Sequence, residues 1–537
     1  MATYASDDTF HPKTADFLKW LRERPGTTIS RKLEIIDLRD HNAGRGIGNR
    51  LSPESLVSIL AESPVVAVED IEEDEELFRI AQSDVLTVQN SSLQKVKPHL
   101  LERLDPWNSL VLVMIYEDGL GKESKWWNYL QLLPTNFDTL IYWSLSELAE
   151  LEGSAVLNKI KKDDADESFQ KFLLPVVQQQ PEVFGRHAHD FVGSNASTVL
   201  LNLAHRMATL IMAYAFDVEK ETSTSEEEDE EEEDDGFSQS AYEMNKGLVP
   251  LADLFNAEGD MNNAHLIQQG DGMTMVAIKP ILKDQQIFND FGQLPRSDLL
   301  RRYGYVTDNY KKWDVVEVDV ETLVFAASKY NQLDNRERDA RLELAATWQV
   351  LQDGYDLSRP PEKGSLEFDQ SLILTITALL LDTDAAKQAI ARTRTPKQPP
   401  LHLLKTLRLV LKEIISDRQK AYKTTLAEDI ALLHDLTVQG RRRMAIEVRL
   451  GEKEVLSMAA LRVDDTIADI REDESTSHVK RRKISPHNTS LSGLSEAYFE
   501  IHIQPSSTAC VYLNNSGFGW RSRKPVNTRF RWLACGQ

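Results

Sequence analysis

Apolar residues along this chain change their spacing from one stretch to the next, and the changes mark out its elements. Between Glu34 and Val88 they come in short alternating runs broken by turn residues. Leu33-Glu-Ile-Ile-Asp-Leu38 has strand character, and so has Glu76-Leu-Phe-Arg-Ile80, which follows the acidic stretch Glu69 to Glu76. Alternation of period two fits a half-buried ribbon. From Asp105 to about Asp217 the period lengthens. Trp107, Leu110, Val111 and Met114 recur at helical spacing, as do Ala204, Met207, Ala208 and Ile211. Strand character returns in Leu248-Val-Pro-Leu251, Thr274-Met-Val-Ala-Ile278 and Gln286-Ile-Phe288. From about Leu366 to Leu436 helices are predicted again. Leu404, Leu407, Leu411 and Ile414 make one stripe, and Leu426, Ile430 and Leu433 another. Met444 to Leu450 reads as a closing strand, with Gly451 after it.

One strand-rich domain interrupted by a helical insertion explains this order better than a string of equal units. The predicted class is α+β. The expected pieces are a helical lead-in over 1–30, strand-rich halves over 31–104 and 243–310, a helical insert over 105–242, a helical domain over 320–465, and a tail over 472–537. No internal repeat is present.

Composition changes this picture in two places. The 537 residues carry a net charge of −23. Glu226 to Asp235 is an unbroken run of ten acidic residues, which repels itself and reads as a solvated loop within the insert. From Ser475 onward the balance reverses, with nine Lys/Arg against two Glu and the tetrad Lys480-Arg-Arg-Lys483. That tail reads as disordered, and its tetrad as a nuclear import signal. The net acidity argues against a surface built for duplex nucleic acid. The two cysteines, Cys510 and Cys535, exclude a disulfide framework and a Cys-rich zinc module. The N-terminus lacks an apolar signal region, and no apolar run of the ~18 residues a membrane span needs occurs. The expected location is the nucleus and/or the cytoplasm.

Three segments carry candidate chemistry. His41-Asn-Ala-Gly-Arg-Gly-Ile-Gly48 follows a strand and is dense in glycine, which lets backbone approach a ligand closely. It lacks the spacing and the acidic ribose partner of a dinucleotide site. Alone it reads as a hairpin turn. Leu248-Val-Pro-Leu-Ala-Asp-Leu-Phe-Asn256, continuing to Asn262-Asn-Ala-His265, sets an Asp and an Asn in an apolar strand. Buried polar groups of this kind need partners, from an Asx-turn network or from a ligand with an amino-acid moiety. Ile287-Phe-Asn-Asp-Phe-Gly292 runs on to Pro295-Arg-Ser-Asp-Leu-Leu-Arg-Arg-Tyr-Gly-Tyr305. Ser297 is placed to cap a short helix starting at Asp298. Tyr303 and Tyr305 are expected on an extended segment, on one side of it.

Taken together, these segments resemble the SET-domain protein-lysine methyltransferases. The branch is that of Rubisco large-subunit methyltransferase, SET-domain-containing protein 6 and the fungal ribosomal lysine methyltransferases. The resemblance covers about residues 15–465 and is supported by Glu152-Gly-Ser-Ala-Val156 and Ala445-Ile-Glu-Val-Arg-Leu-Gly451. It implies short curved sheets interrupted by a helical insert, followed by an all-α substrate-binding domain. It implies S-adenosylmethionine as cofactor and no metal. Gly44, Arg45 and Gly46 would contact the cofactor through backbone. Asp253 would belong to the network at its amino-acid end, and Asn256 would bind its adenine or amino-acid part. Tyr303 would line the methyl-transfer channel and touch the cofactor, and Tyr305 would shape the channel further. The implied partner is a basic protein substrate, a large-subunit ribosomal protein first, bound by a monomer without direct contact to nucleic acid or membrane.

The sequence departs from the family pattern. Ala257 stands where many relatives have His, and Ala81 where they often have Pro. Ala213-Tyr214 replace the Ser-Arg of a Ser-Arg-Ala-Phe pattern, so that arginine contact is absent. Phe291 replaces the tyrosine of Asn-x-Tyr-Gly, keeping the ring but not the hydroxyl beside the lysine amine. Two functions from different classes follow. One is an active protein-lysine methyltransferase with Tyr303, Tyr305 and Phe291 at its catalytic channel. The other is a cofactor-binding adaptor of low activity that holds a ribosomal or chromatin protein.

Overall fold

A computed structural model describes residues 10–35, 65–219, 244–359, 368–392 and 394–477. The Gly44-Arg45-Gly46 turn, the acidic run and the basic tetrad lie outside these described residues.

Two small sheets form the first body. One has strands β1 (Thr28–Ile29), β4 (Glu76–Ala81), β9 (Gly272–Ala277) and β8 (Ala264–Gln269), in the order β1-β4-β9-β8 and antiparallel throughout. The other has β2 (Leu33–Ile35), β3 (Val65–Ala67), β10 (Gln286–Asn289) and β7 (Asn256–Ala257), in the order β2-β3-β10-β7. Its last pair, β10 and β7, runs parallel. In the first sheet Phe78 sits opposite Met275, so residues from the two sides of the insert are neighbours.

The insert begins where Asp105 accepts hydrogen bonds from the amides of Trp107 and Asn108, with Pro106 at the first helical position. The helix Pro106–Leu120 is buried from Asn108 to Gly119 and apolar on nearly every face, as a core helix must be. The helix Ala196–Tyr214 packs on it. The insert closes with the antiparallel pair β5 (Ala215–Glu219) and β6 (Met244–Leu248). The sheets and the insert share one core, with Phe17, Leu77, Phe78, Val111, Met207 and Phe255 among its members.

The C-terminal body is helical and has its own core, in which Leu372, Ile376, Leu407, Val410 and Val455 meet. It is not purely α: β11 (Val315–Asp319) and β12 (Gly354–Ser358) form a two-stranded ribbon within it. Met444 to Leu450 is not a strand but part of the long helix Gly440–Ser477, which also runs past the expected tail boundary. The apolar stripe of the helix Leu426–His434 does not face the core. Ile430 is exposed, and the buried residue is Asp429.

Polar contacts lock the two bodies together. Buried Arg296 pairs with buried Asp314 at 2.8 Å, beneath Gly451 of the long helix. Arg449 pairs with Asp429 at 2.9 Å and with Glu150 of the insert at 2.9 Å. Glu452, buried in the same helix, accepts from Ser154 at 2.6 Å and from Tyr422 at 2.9 Å. Among the described residues no helix is long and apolar enough to cross a membrane.

Candidate active site

The site grows from the parallel pair β7 and β10. After β6 the chain turns through Leu251, at a φ of 80°, into a single 3-10 turn over Ala252–Leu254, and then enters β7. Asn263 pins the returning chain. Its Nδ2 donates to the Gln286 carbonyl at 2.9 Å, and its Oδ1 accepts from the Phe288 amide at 2.8 Å. This places Asn256 beside Phe288.

Asn256 is buried and Asp253 half-buried, and both are incompletely satisfied. Asp253 Oδ2 accepts from the Tyr129 hydroxyl at 2.7 Å, while Oδ1 has no partner. Both amide atoms of Asn256 are buried without a partner. Orphaned buried polar atoms cost ~1–3 kcal/mol each, so a protein keeps them where a ligand completes them. Burial pushes the Asp253 carboxyl up to about 7, despite the hydrogen bond from Tyr129.

The second half of the site is aromatic. The helix Arg296–Tyr303 ends at Gly304, whose φ of 80° is left-handed. A Cβ there would meet the Thr139 amide nitrogen at 2.9 Å and the Asp138 carbonyl carbon at 3.0 Å, so both conformation and space require glycine. Tyr303 is therefore the last residue of a helix, not part of an extended segment. The helix begins at Arg296 after Pro295, and no side chain caps it, so Ser297 does not cap a start at Asp298. Phe291 stacks flat on Tyr303, with centroids 3.9 Å apart and planes 7° from parallel. Tyr305 lies 6.5 Å from Tyr303 at 60°. Tyr310 packs in the same cluster. Burial pushes the Tyr303 hydroxyl up to about 12 and raises those of Tyr305 and Tyr310 as well. All three are neutral at physiological pH.

The structure thus brings Phe291, Tyr303 and Tyr305 into one cluster. Asp253 and Asn256 lie on the adjoining strand system, whose β10 leads directly into Phe291. Sequence reasoning missed Tyr310, Glu258 and Tyr129. Glu258 accepts from Asn309 Nδ2 at 2.7 Å and so ties the segment after β7 to the one carrying Tyr310. Tyr310 lies five residues beyond Tyr305, in the separate 3-10 segment Asp308–Trp313, off the two-residue spacing of the pair. Tyr129 lies 124 residues from its partner Asp253 and gives no local signal. Among the described residues, no group of three His, Cys, Asp or Glu could hold a metal ion.

Residues 64–292 match the SET domain family model, and residues 339–456 match the Rubisco LSMT substrate-binding model. The chain thus carries a SET domain followed by the substrate-binding domain of the Rubisco LSMT branch, and S-adenosylmethionine is the cofactor of SET methyltransferases. Among its relatives is ribosomal lysine N-methyltransferase 4 of Saccharomyces cerevisiae. It is 34% identical over 326 residues, which span 59% of this chain and 60% of that protein. The Schizosaccharomyces pombe protein of the same name is 25% identical over 79% of this chain and 94% of its own length. Human N-lysine methyltransferase SETD6 is 25% identical over 82% and 94%. Among solved structures, the SET domain of LSMT bound to lysine and AdoHcy has a TM-score of 0.60 at 16% identity, over 86% of this chain and 93% of that one. The orphaned polar atoms of Asp253 and Asn256 fit the amino-acid end of S-adenosylmethionine, which offers both a donor and an acceptor. The sequence expectation of α+β sheets, helical insert and helical second domain agrees with these likenesses.

Proposed function

We propose that this chain transfers a methyl group from S-adenosylmethionine to a lysine of a basic protein, a large-subunit ribosomal protein first. The observation that carries the reading is the stacked Phe291–Tyr303 pair, reached directly from the strand β10 that pairs with the unsatisfied Asn256, with the half-satisfied Asp253 on the turn before it. The names of the yeast relatives support the ribosomal substrate.

When bound, S-adenosylmethionine supplies an electrophilic methyl on a sulfonium. The chain's own residues do the rest. Asp253 and Asn256 hold the amino-acid end, with Gly44, Arg45 and Gly46 contributing backbone. Free lysine titrates near ~10.4, and only its neutral form attacks. Phe291, Tyr303 and Tyr305 surround the amine with apolar surface, which favours that form by desolvation. Tyr303 is too weak an acid to act as a tyrosinate base. Its oxygen accepts a hydrogen bond from the amine and aligns it. The proton leaves to solvent.

The test uses labelled S-adenosylmethionine and salt-washed large ribosomal subunits. Wild-type protein is expected to label a subunit protein, and Tyr303→Phe or Asn256→Ala to lose the label. Absence of label with the wild type overturns the ribosomal assignment. Phe291 favours a second reading, that of a cofactor-binding adaptor of low activity. Cofactor binding without transfer, with transfer gained in Phe291→Tyr, selects it. The tetrad Lys480-Arg-Arg-Lys483 supports action in the nucleus, and a ribosomal substrate fits nucleus and cytoplasm alike.

A further inference from the structure

Tyr129 makes one contact that the reaction above does not use. It sits on the short helix Trp127–Leu130 of the insert and is completely buried. Its hydroxyl donates to Asp253 Oδ2 at 2.7 Å. That bond fixes the carboxylate, and Oδ1 is left buried and without a partner. Among the described residues no cation acts on Asp253. The groups that do are the Tyr129 hydroxyl and Asp253's own backbone amide, with Tyr214 acting on Tyr129 in turn. Tyr214 occupies the position of the arginine in the Ser-Arg-Ala-Phe pattern.

A buried carboxylate with neutral donors alone lacks the counter-charge it needs. We propose that Tyr129 is a positioning residue for the cofactor, holding Asp253 so that Oδ1 receives the ammonium of the cofactor's amino-acid end. This rests on the methyltransferase reading. A consequence is that cofactor binding is coupled to a proton. Asp253 stands at about 7 in the free protein, so near neutrality the carboxyl is about half protonated. The arriving ammonium is the missing counter-charge and favours the carboxylate, so the proton is released to solvent on binding. The α-amino group itself is cationic below ~8. The window in which both partners carry their charges is therefore narrow and lies just above neutrality.

Calorimetry with S-adenosylmethionine alone tests this, in two buffers of different ionisation enthalpy between about pH 6 and 8.5. Wild-type protein is expected to release up to one proton below pH 7, and its affinity to fall by up to about tenfold per pH unit there. Tyr129→Phe removes the one side-chain donor that, among the described residues, favours the carboxylate. It is expected to bind about tenfold or more weakly at pH 7 and to move the rise in affinity to higher pH. Asp253→Asn is expected to bind weakly with no proton release. If Tyr129→Phe matches the wild type in affinity and pH profile, the proposal is overturned while the methyltransferase reading stands. If the wild type binds no S-adenosylmethionine at any pH, that reading fails as well. Should Tyr129→Phe not fold, the wild type decides, since no proton release near about pH 6.5 overturns the proposal.

Discussion

Phe291 is one oxygen short of the family's tyrosine, and its flat stack on Tyr303 shows what survives. In the proposed channel the ring would still form a wall, but no hydroxyl would reach the amine from that side. A hydrogen bond to a charged or charging group is worth ~1.5–3 kcal/mol, or about ten- to a hundredfold in rate. Phe291→Tyr is therefore expected to raise the rate of the first methyl transfer by about tenfold or more. It also restricts rotation of the methylated amine, so the product distribution moves toward monomethyl-lysine. Mass spectrometry of a methylated peptide reads both, and an unchanged rate and product ratio would show that position 291 is only packing. Asn256 carries the opposite trade. Its two orphaned amide atoms burden the cofactor-free protein. An apolar residue of similar shape removes that burden. Asn256→Leu is expected to melt no lower than the wild type without cofactor, while its Kd for S-adenosylmethionine rises about ten- to a hundredfold. A lower melting temperature with unchanged Kd would place Asn256 in the scaffold alone.

At the scale of elements, glycine at 451 is the informative case. A helix-interior glycine costs ~1 kcal/mol against alanine, so propensity alone favours Gly451→Ala. A Cβ there would run into the Asp314 carboxylate and the Arg296 guanidinium. Disrupting a buried pair costs ~3–5 kcal/mol, so the clash wins and the variant is expected to melt several degrees lower. An increase in melting temperature would mean that the pair moves aside freely. The same helix shows why the sequence misled over Met444 to Leu450. Ala445, Arg449, Glu452, Leu456 and Ala459 are buried at helical spacing, but two of those inward positions are charged. Their partners, Asp429 for Arg449 and Ser154 with Tyr422 for Glu452, lie far off in the chain. An apolar-stripe reading cannot see an inward face made partly of an ion pair and a hydrogen-bonded carboxyl. Ile446 and Val448 then suggest a strand. Asp429 defeats the reading of Leu426–His434 in the same way. The strand-rich halves were legible because their inward positions are apolar, as in Leu77, Phe78 and Ile80. Asp253, Asn256 and Tyr303 were legible as motifs in a local run of sequence. The Tyr129 contact was not, because its two ends are far apart in the chain.

Across the whole molecule, buried carboxyls set how stability depends on pH. Burial raises Glu452 from 4.5 to about 7 and Asp253 from 3.8 to about 7. The folded state therefore holds more protons than the unfolded one between those values. Their stabilisation is complete below the unfolded values and is lost as pH rises toward 7, at up to about 1.4 kcal/mol per pH unit for each group. Asp118 runs the other way. Burial alone would raise it, but hydrogen bonds from His187 and Arg186 and the charges of Arg186 and Arg206 outweigh that and hold it at about 2. Its contribution is present above 3.8 and is lost as pH falls through 2. The cofactor-free protein is accordingly expected to melt at lower temperature as pH rises from about 5 to 7.5, with Glu452→Gln flattening that fall. Thermal melting over that range is the check, and an unaltered slope in the variant would remove Glu452 from the account.

The pairing of Phe78 with Met275 has a consequence for how this protein is made. During synthesis β4 waits for β9 while nearly two hundred intervening residues leave the ribosome. Loop closure over such a length is cheap in equilibrium terms, since each doubling adds only ~0.6 kcal/mol. It is slow in kinetic terms, because distant pairings must be found before they stabilise anything. Until then the N-terminal strands are open edges, free to pair with the wrong chain. The insert, dense in local helical contacts, is the part able to fold during the wait. The insert thereby has a second role, as the first structure of a nascent chain whose strand-rich body is assembled last.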